Sequence, residues 1–420
     1  MAATEPLVLH LSLVVGGELR DAAGERLGRV DDLIVRLGDE DYPPVTGVVA
    51  TVAGRPVFVA AEQVVEIGPG FVTLIGHGLD LQHFRRRPQE VLLKKDVLDR
   101  QLINVDGARL VRANEIELAR LEGWYRVVGV DVSLRGLARR VLPRAFAGRV
   151  DAGGFLDWAS VEPFTGHVPT VRLRVPHPKL AKLHPAQVAD LVEAASHNEG
   201  EEIMAAVAAD PEREADVFEE LEDSHQLEFV EDRSDAEIAE LLARMETDDA
   251  ADLVLQLPEE RREDVIGLLS PVQERRLRTL LGYDPATAGG LMSPEFVCVY
   301  ADATREETLD RIERSPLPAD SLTWVYGMNT HRRLRGGIAL ADLVRTTTGE
   351  RLWNVLQPVQ TVRPDADLEE VARLMTDFNL TIVPVVDDEE RVLGIVTVDD
   401  VLELVLPEPW RRRFGLLGSD

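Results

Sequence analysis

Leu368-Glu-Glu-Val-Ala-Arg-Leu-Met375, Thr381-Ile-Val-Pro-Val-Val386 and Leu393-Gly-Ile-Val-Thr-Val-Asp-Asp400-Val-Leu402 decide the fold of the last part of the chain. Preceded by Pro358 and Asp365, they read as a helix, a strand, a second strand and a helix. The same order occurs about 60 residues upstream. There Pro294 and Asp302 precede a helix, an apolar strand and then Arg335-Gly-Gly-Ile-Ala-Leu-Ala-Asp342-Leu-Val. Residues 284–347 and 348–406 are therefore expected to be two related α/β halves.

Working outward, the preceding stretch keeps a regular beat. Helix-start signals, Pro at a first helical position or a Ser, Thr or Asp cap, fall at Pro185, Pro211, Asp223, Ser234, Thr247, Pro258 and Ser270-Pro271. The apolar set Val217, Phe218 and Leu221 recurs as Leu241, Leu242 and Met245 and again as Val265, Ile266 and Leu269. Short helices whose apolar faces repeat every second helix stack into a superhelical array, so residues 176–283 are expected to be all-α.

The first 175 residues differ. Runs such as Gly24-Glu-Arg-Leu-Gly-Arg-Val-Asp-Asp-Leu-Ile-Val35 and Val45-Thr-Gly-Val-Val-Ala-Thr-Val52 read as strands between Gly and Asp turns. Gly107-Ala-Arg-Leu-Val-Arg-Ala-Asn-Glu-Ile-Glu-Leu118 repeats the first run, and Phe155-Leu-Asp-Trp-Ala-Ser-Val-Glu162 echoes Phe58-Val-Ala-Ala-Glu-Gln-Val-Val65. Two tandem β modules, 1–84 and 88–175, are the economical reading.

Charge separates these regions. Residues 1–175 carry 22 basic and 23 acidic side chains, residues 176–283 carry 10 against 28, and residues 284–420 carry 14 against 24. The acidic character begins near Pro176-His177-Pro178. A net charge of -29 excludes a general nucleic-acid binder and favours cations or proteins as partners. No uncharged apolar run reaches the ~18 residues of a membrane helix; Leu7–Gly17 and Ile67–Leu79 come nearest. With Cys298 as its one cysteine and no basic signal region, the chain is expected in the cytoplasm. No Ser-His-Asp set, Walker loop or GxGxxG can be assembled, so no catalysis is expected.

Asp248 and Asp252 are four apart, and Asp249 and Asp252 three apart, so a helix puts all three on one side. At an effective dielectric of 20 each close pair costs roughly 3 kcal/mol, which a divalent cation would relieve. Mg2+ suits such a site because it needs only one or two carboxylates and keeps several waters. The same acids also serve as a solvated face and as helix N-terminal charges, with Asp248 directly after Thr247.

Several motifs carry family resemblances. The strand-rich copies resemble the PRC-barrel family, and the two α/β halves resemble CBS domains, which pack as a pseudo-twofold pair. Residues 184–406 as a whole resemble the cytosolic part of the MgtE magnesium channels. The carrying residues are His184-Pro185-Ala-Gln-Val-Ala-Asp-Leu191, Thr247-Asp-Asp-Ala-Ala-Asp-Leu253, Tyr283-Asp-Pro-Ala-Thr-Ala-Gly-Gly-Leu-Met-Ser-Pro-Glu295, Asp365–Met375 and Gly394–Leu402. That family continues into a membrane pore, whereas this sequence stops 14 residues after Leu406. The resemblance therefore implies a regulatory part without its channel, passing its output to a separately encoded membrane cation transporter. It also implies a homodimer through the CBS pair.

The resemblance places Asp216, Asp248 and Asp252 on the helical side of a metal-filled interface, with Asp365, Asp367, Glu369 and Asp400 facing them and the Gly290 carbonyl as a further ligand. Asn379 stands where the family has an acid, which predicts one weakened ion site. CBS pairs also hold adenine nucleotides such as ATP. Thr397 and Asp400 match the Thr-x-x-Asp pattern, Asp342 is its counterpart with Ala339 in place of the hydroxyl, and Trp324 is a candidate for stacking on the base. Two further readings stay open: a nucleotide sensor, and a scaffold whose acidic face docks a basic protein. Arg85-Arg-Arg87 and the tail at 407–420, with Trp410-Arg-Arg-Arg-Phe414, are minor candidates for an acidic partner and a membrane surface.

Overall fold

A computed structural model describes residues 8–38, 40–76, 86–87, 89–133, 155–168, 178–315, 317 and 322–406. Arg85, residues 176–177 and the tail at 407–420 lie outside the described residues. The chain divides into two compact units, residues 1–217 with 415–420 and residues 218–414.

The first unit opens with strands β1 (Leu9–His10), β2 (Glu18–Arg20), β3 (Arg26–Arg36), β4 (Val45–Val52), β5 (Arg55–Ala60), β6 (Val64–Gly68) and β7 (Phe71–Leu74). It continues with β8 (Glu90–Leu92), β9 (Gln101–Asn104), β10 (Arg109–Arg112), β11 (Glu115–Leu121), β12 (Trp124–Asp131), β13 (Phe155–Asp157) and β14 (Val161–Pro163). Valine-rich β4 suits a pleated, buried surface. It turns into β5 through Ala53-Gly54, both at positive φ (48° and 78°), which matches the twist of a two-residue hairpin.

The strand pairing repeats internally. One sheet runs β5-β4-β3-β2-β7-β6 with β8 added on β3, and a second runs β1-β11-β12-β13. The series β8-β3-β4-β5 thus recurs as β1-β11-β12-β13. Each series then passes through a single 3-10 turn, Ala61–Gln63 or Trp158–Ser160, into the next strand. That turn is the physical content of the Phe58 and Phe155 echo. The leading strands are exchanged, β1 pairing with β11 and β8 with β3. One apolar core accordingly runs from Leu9 to Val168 through both copies.

The sequence match is imperfect at one point. Gly24–Val35 leads into the single bulged strand β3, whereas Gly107–Leu118 breaks into β10 and β11, which belong to different sheets. The break falls at Ala113-Asn114, whose amides donate to Arg100, just ahead of β9, and to Asp131 at the end of β12.

The helices Pro185–Ala194 and His197–Val207 belong to the first unit, and the unit boundary falls inside the Pro211–Glu219 helix. His197–Val207 begins at a Ser196–Glu199 capping box that the reading of start signals passes over. The second unit opens with helices Asp223–Glu231, Asp235–Leu242, Thr247–Gln256, Glu259–Ile266 and Pro271–Leu280. Ser234 and Ser270 cap two of them through their hydroxyls, and Pro258 is the N-cap rather than the first helical residue.

Next come β15 (Val297–Tyr300), helix Arg305–Glu313, β16 (Trp324–Met328), β17 (Leu334–Ala339) and helix Leu340–Arg345. The order returns as helix Leu368–Phe378, β18 (Ile382–Val386), β19 (Val392–Thr397) and helix Val398–Val405. Strand β15 lies parallel to β16, and a parallel bridge from Val362 to Val385 stands at the matching place in the second half. These halves also exchange their leading segments. Ser293, near the start of the first half, bridges to Ile395 on β19, and Gln357, near the start of the second, bridges to Gly337 on β17. Among the described residues no helix is long and apolar enough to cross a membrane.

Candidate metal centre

The Thr247–Gln256 helix starts with acids. Glu246 is its N-cap, and Asp248 and Asp249 sit in its first turn, where the helix dipole favours negative charge. The Glu246 amide donates to Glu219 Oε1 at 2.6 Å. The Thr247 hydroxyl reaches Glu295 Oε1 at 3.4 Å, and Arg276 from the Pro271–Leu280 helix stands 3.5 Å from the same oxygen.

Glu295 connects this helical end to the α/β halves. Two residues before it, Ser293 exchanges both backbone hydrogen bonds with Ile395, at 2.8 and 2.9 Å. Strand β19 then delivers Thr397, whose hydroxyl and amide both donate to Asp400 Oδ2, at 2.6 and 3.1 Å. This reciprocal cap fixes Asp400 in the first turn of the Val398–Val405 helix. Two acidic helix starts, one from the helical array and one from the α/β pair, thereby come within electrostatic reach of each other.

The consequence is visible in the ionisation of the group. Burial pushes Asp248 well above the usual carboxylate range, and Asp400, Glu246 and Glu295 push it further. Asp249 is raised in the same way, by burial and then by Asp248, Glu219, Glu246 and Asp400. Burial raises Asp400 as well, against the two Thr397 hydrogen bonds that lower it. Asp248 is half-buried as a residue, but its Oδ1 is withdrawn from solvent and has no hydrogen-bond partner. A buried acceptor left in that state is costly. No three of these carboxylates bring oxygens within 4.8 Å of one another, so the arrangement does not form an all-protein cage.

The other predicted ligands are distributed differently. Asp367 caps the Leu368–Phe378 helix by accepting from the Glu370 amide at 2.8 Å. The loop that carries Gly290 is tied to the Asp365 segment, with the Ala288 and Gly289 amides donating to Ala366 and Pro364. Gly290 cannot be another residue, since a Cβ there would lie 2.4 Å from the Asp284 carbonyl oxygen. Asp252, Asp365 and Glu369 are exposed. Asp216 is exposed on its helix and belongs to the first unit, where partial burial and then Glu212 raise its pKa.

Asn379 ends the Leu368–Phe378 helix in the left-handed conformation, φ 52° and ψ 49°, which asparagine adopts more readily than other non-glycine residues. Of the nucleotide candidates, Thr397 spends its hydroxyl on Asp400, Asp342 is exposed beside Arg345 at 3.6 Å, and Trp324 is half-buried on β16. The sequence reading misses Glu219, Glu246 and Glu295. Glu246 was findable as the residue before a helix start, whereas Glu219 and Glu295 had no local signal.

The MgtE intracellular N domain matches residues 183–286, and the CBS domain matches residues 355–407. The magnesium transporter MgtE of Thermus thermophilus is 42% identical over 142 residues, 34% of this chain and 32% of that protein. The Bacillus subtilis MgtE is 26% identical over 209 residues, 49% of this chain and 46% of that protein. The matched stretch thus spans between about a third and a half of these relatives.

Among solved structures, the cytosolic domain of the Mg2+ channel MgtE in complex with ATP superposes with a TM-score of 0.50 at 32% identity. It covers 54% of this chain and 92% of its own. The soluble part of a magnesium transporter gives 0.50 at 26% identity, with 55% and 90% covered. Residues 183–286 are therefore an MgtE intracellular N domain and residues 355–407 a CBS domain, arranged as in the cytosolic part of the MgtE magnesium transporter family.

Proposed function

We propose that residues 183–406 form a magnesium-responsive, non-catalytic regulatory module that acts on cation transport through a membrane cation transporter. One observation carries the reading: Asp248 Oδ1 is buried without a partner, beside Asp249, Asp400, Glu246 and Glu295. A divalent cation would relieve that repulsion. The looseness of the cluster favours Mg2+, which binds through one or two carboxylates and fills its octahedron with water.

Asp248, Asp249 and Asp400 would meet the ion, and the family resemblance adds Asp216, Asp252, Asp365, Asp367, Glu369 and the Gly290 carbonyl. A cation that binds better when the helical and α/β parts are together shifts the population toward the compact form. The test is small-angle scattering of the full chain from zero to about 20 mM Mg2+, with NaCl at matched ionic strength and an Asp248→Ala/Asp252→Ala variant. Compaction in Mg2+ alone, lost in the variant, is expected. Unchanged dimensions would sink the proposal and leave the acidic face as a docking surface for a basic protein.

A homodimer through the CBS pair is supported by the apolar side chains of Phe378, Leu402, Leu404 and Val405, which are exposed on the two helices of the second half. Domain limits at 1–84, 88–175, 176–283, 284–347 and 348–406, PRC-barrel-like modules and a cytoplasmic location belong to the same proposal. ATP is present in the solved relative's structure. Here Thr397, Asp400, Asp342 and Trp324 would receive it, but the Thr397–Asp400 hydrogen bond must first open, so nucleotide sensing ranks second.

A further inference from the structure

Within the second unit, a cavity of about 450 Å³ opens between the Pro271–Leu280 helix and the first α/β half. Arg276, Arg311 and Arg314 line it together with Phe296, Asp310 and Ser315. Three guanidinium groups around one cavity are unexpected in a region where acids outnumber bases, and they repel one another unless an anion lies between them.

Their present partners only partly compensate. Arg314 pairs with Asp310 at 2.7 Å across an exposed i,i+4 contact, and Arg276 stands 3.5 Å from Glu295. The exposed Arg314–Asp310 pair is weak, and the partly exposed Arg276–Glu295 pair is long, so both arginines can turn to a better acceptor. Arg311 has no ion pair or hydrogen bond among the described residues. Phe296, held edge-on to Tyr326 with ring centroids 6.4 Å apart, gives the cavity an aromatic wall.

We propose that this cavity binds a phosphate-bearing small molecule. A monocarboxylate presents one fork and satisfies one guanidinium. A phosphate or diphosphate carries more charge and enough oxygens for several planar forks, which is why arginine prevails at such sites. The Ser315 hydroxyl adds a neutral donor. Neither Asp248 nor the Thr397–Asp400 pair lines this cavity, which meets the acidic cluster only through the Arg276–Glu295 pair, so binding measured without metal tests it separately from the magnesium reading.

The experiment is isothermal titration of the full chain with pyrophosphate in metal-free NaCl buffer, with 31P NMR as a second readout. Saturable binding is expected, weakened about tenfold or more in Arg311→Gln and further in Arg311→Gln/Arg314→Gln, since hydrogen bonds to charged groups carry that much. Thr397→Ala should keep full affinity, and rising NaCl should weaken binding steadily. Both arginines are exposed, so circular dichroism should show these variants folded. No saturable binding up to about 10 mM would overturn the proposal. So would binding that survives in the double variant or disappears in Thr397→Ala.

Discussion

Residues 8–168 and residues 218–406 both bury carboxylates, and they treat them in opposite ways. In the β-rich region Asp32, 6% exposed, accepts from the Leu33, Lys94 and Lys95 amides at 2.8, 2.8 and 3.1 Å. Asp96 beside it accepts from the Leu92 amide at 2.7 Å and from Arg86 at 3.0 Å. These acids hold the Leu93–Val97 turn, a π-helical turn, against β3 and serve the fold. In the second region Asp248 faces other acids, and its buried Oδ1 has no partner. An acid given backbone donors anchors structure, whereas an acid packed against its own kind stores repulsion that a bound cation can release. Both regions are duplications that exchange their leading segments, so the contrast lies in the side chains rather than in the topology.

The largest effect should come from removing the anchored acid. Asp32→Ala strips three amides, that of Leu33 buried and those of Lys94 and Lys95 partly so, of their acceptor and should destabilise the first unit by about 3 kcal/mol, read by urea denaturation. Mg2+ should not rescue it; rescue would erase the contrast between the regions.

Nearly as large is the pH effect of the same residue. Burial pushes Asp32 from the usual 3.8 to about 6, with the Lys94, Leu33 and Lys95 amides opposing and Asp96 adding to the rise. The folded state therefore prefers protonated Asp32. That contribution is complete below about pH 3.8 and is lost as pH rises through about 6, a change near 3 kcal/mol. Denaturation of the wild type and of Asp32→Asn across pH 4 to 7 checks it. Equal pH slopes in the two proteins would count against the assignment.

Asp248→Asn should act in the opposite direction to Asp32→Ala. Removing one repelling charge should raise metal-free stability of the second unit by about 1–2 kcal/mol and abolish the gain from Mg2+. Thermal unfolding with and without the ion decides it, and a variant less stable than wild type without metal would show that Asp248 is an ordinary structural acid.

Thr397→Val removes a helix cap and should cost about 1 kcal/mol. Amide exchange along the Val398–Val405 helix would report the fraying. The smallest effect is expected for Arg276→Gln. The Arg276–Glu295 pair is partly exposed, so stability should change by less than about 1 kcal/mol. Glu295 then loses its counter-charge, so Mg2+ binding should tighten a few-fold; weaker binding would place Glu295 outside the ion's field.

Much of this architecture was legible from local sequence. Ser234, Ser270 and Pro271 mark helix starts because a cap or a proline acts within one turn, whereas Thr247 marks its helix one residue late, Glu246 being the N-cap. The second α/β half was readable for the same reason, since each element announces itself by its own periodicity. The Phe58 and Phe155 echo pointed to a duplicated β module, though not to the 3-10 turn inside it, and the acids at 248, 249 and 252 pointed to one charged side of a helix.

Other features have no local signature. That β1 belongs with β11 and β8 with β3 depends on pairing partners far apart in the chain, as do the Ser293–Ile395 and Gly337–Gln357 exchanges. Glu219 and Glu295 joined the acidic cluster only through contacts across helices and across the helical and α/β parts. Sequence by itself determined the elements, their order, the two duplications and the excess of negative charge, because propensity, capping and composition are set by neighbouring residues. Tertiary structure alone decided which carboxylates are satisfied and which are not. Burial and hydrogen-bond partners come from the packing of distant segments, and those two quantities separate Asp32, an anchor, from Asp248, a candidate ligand.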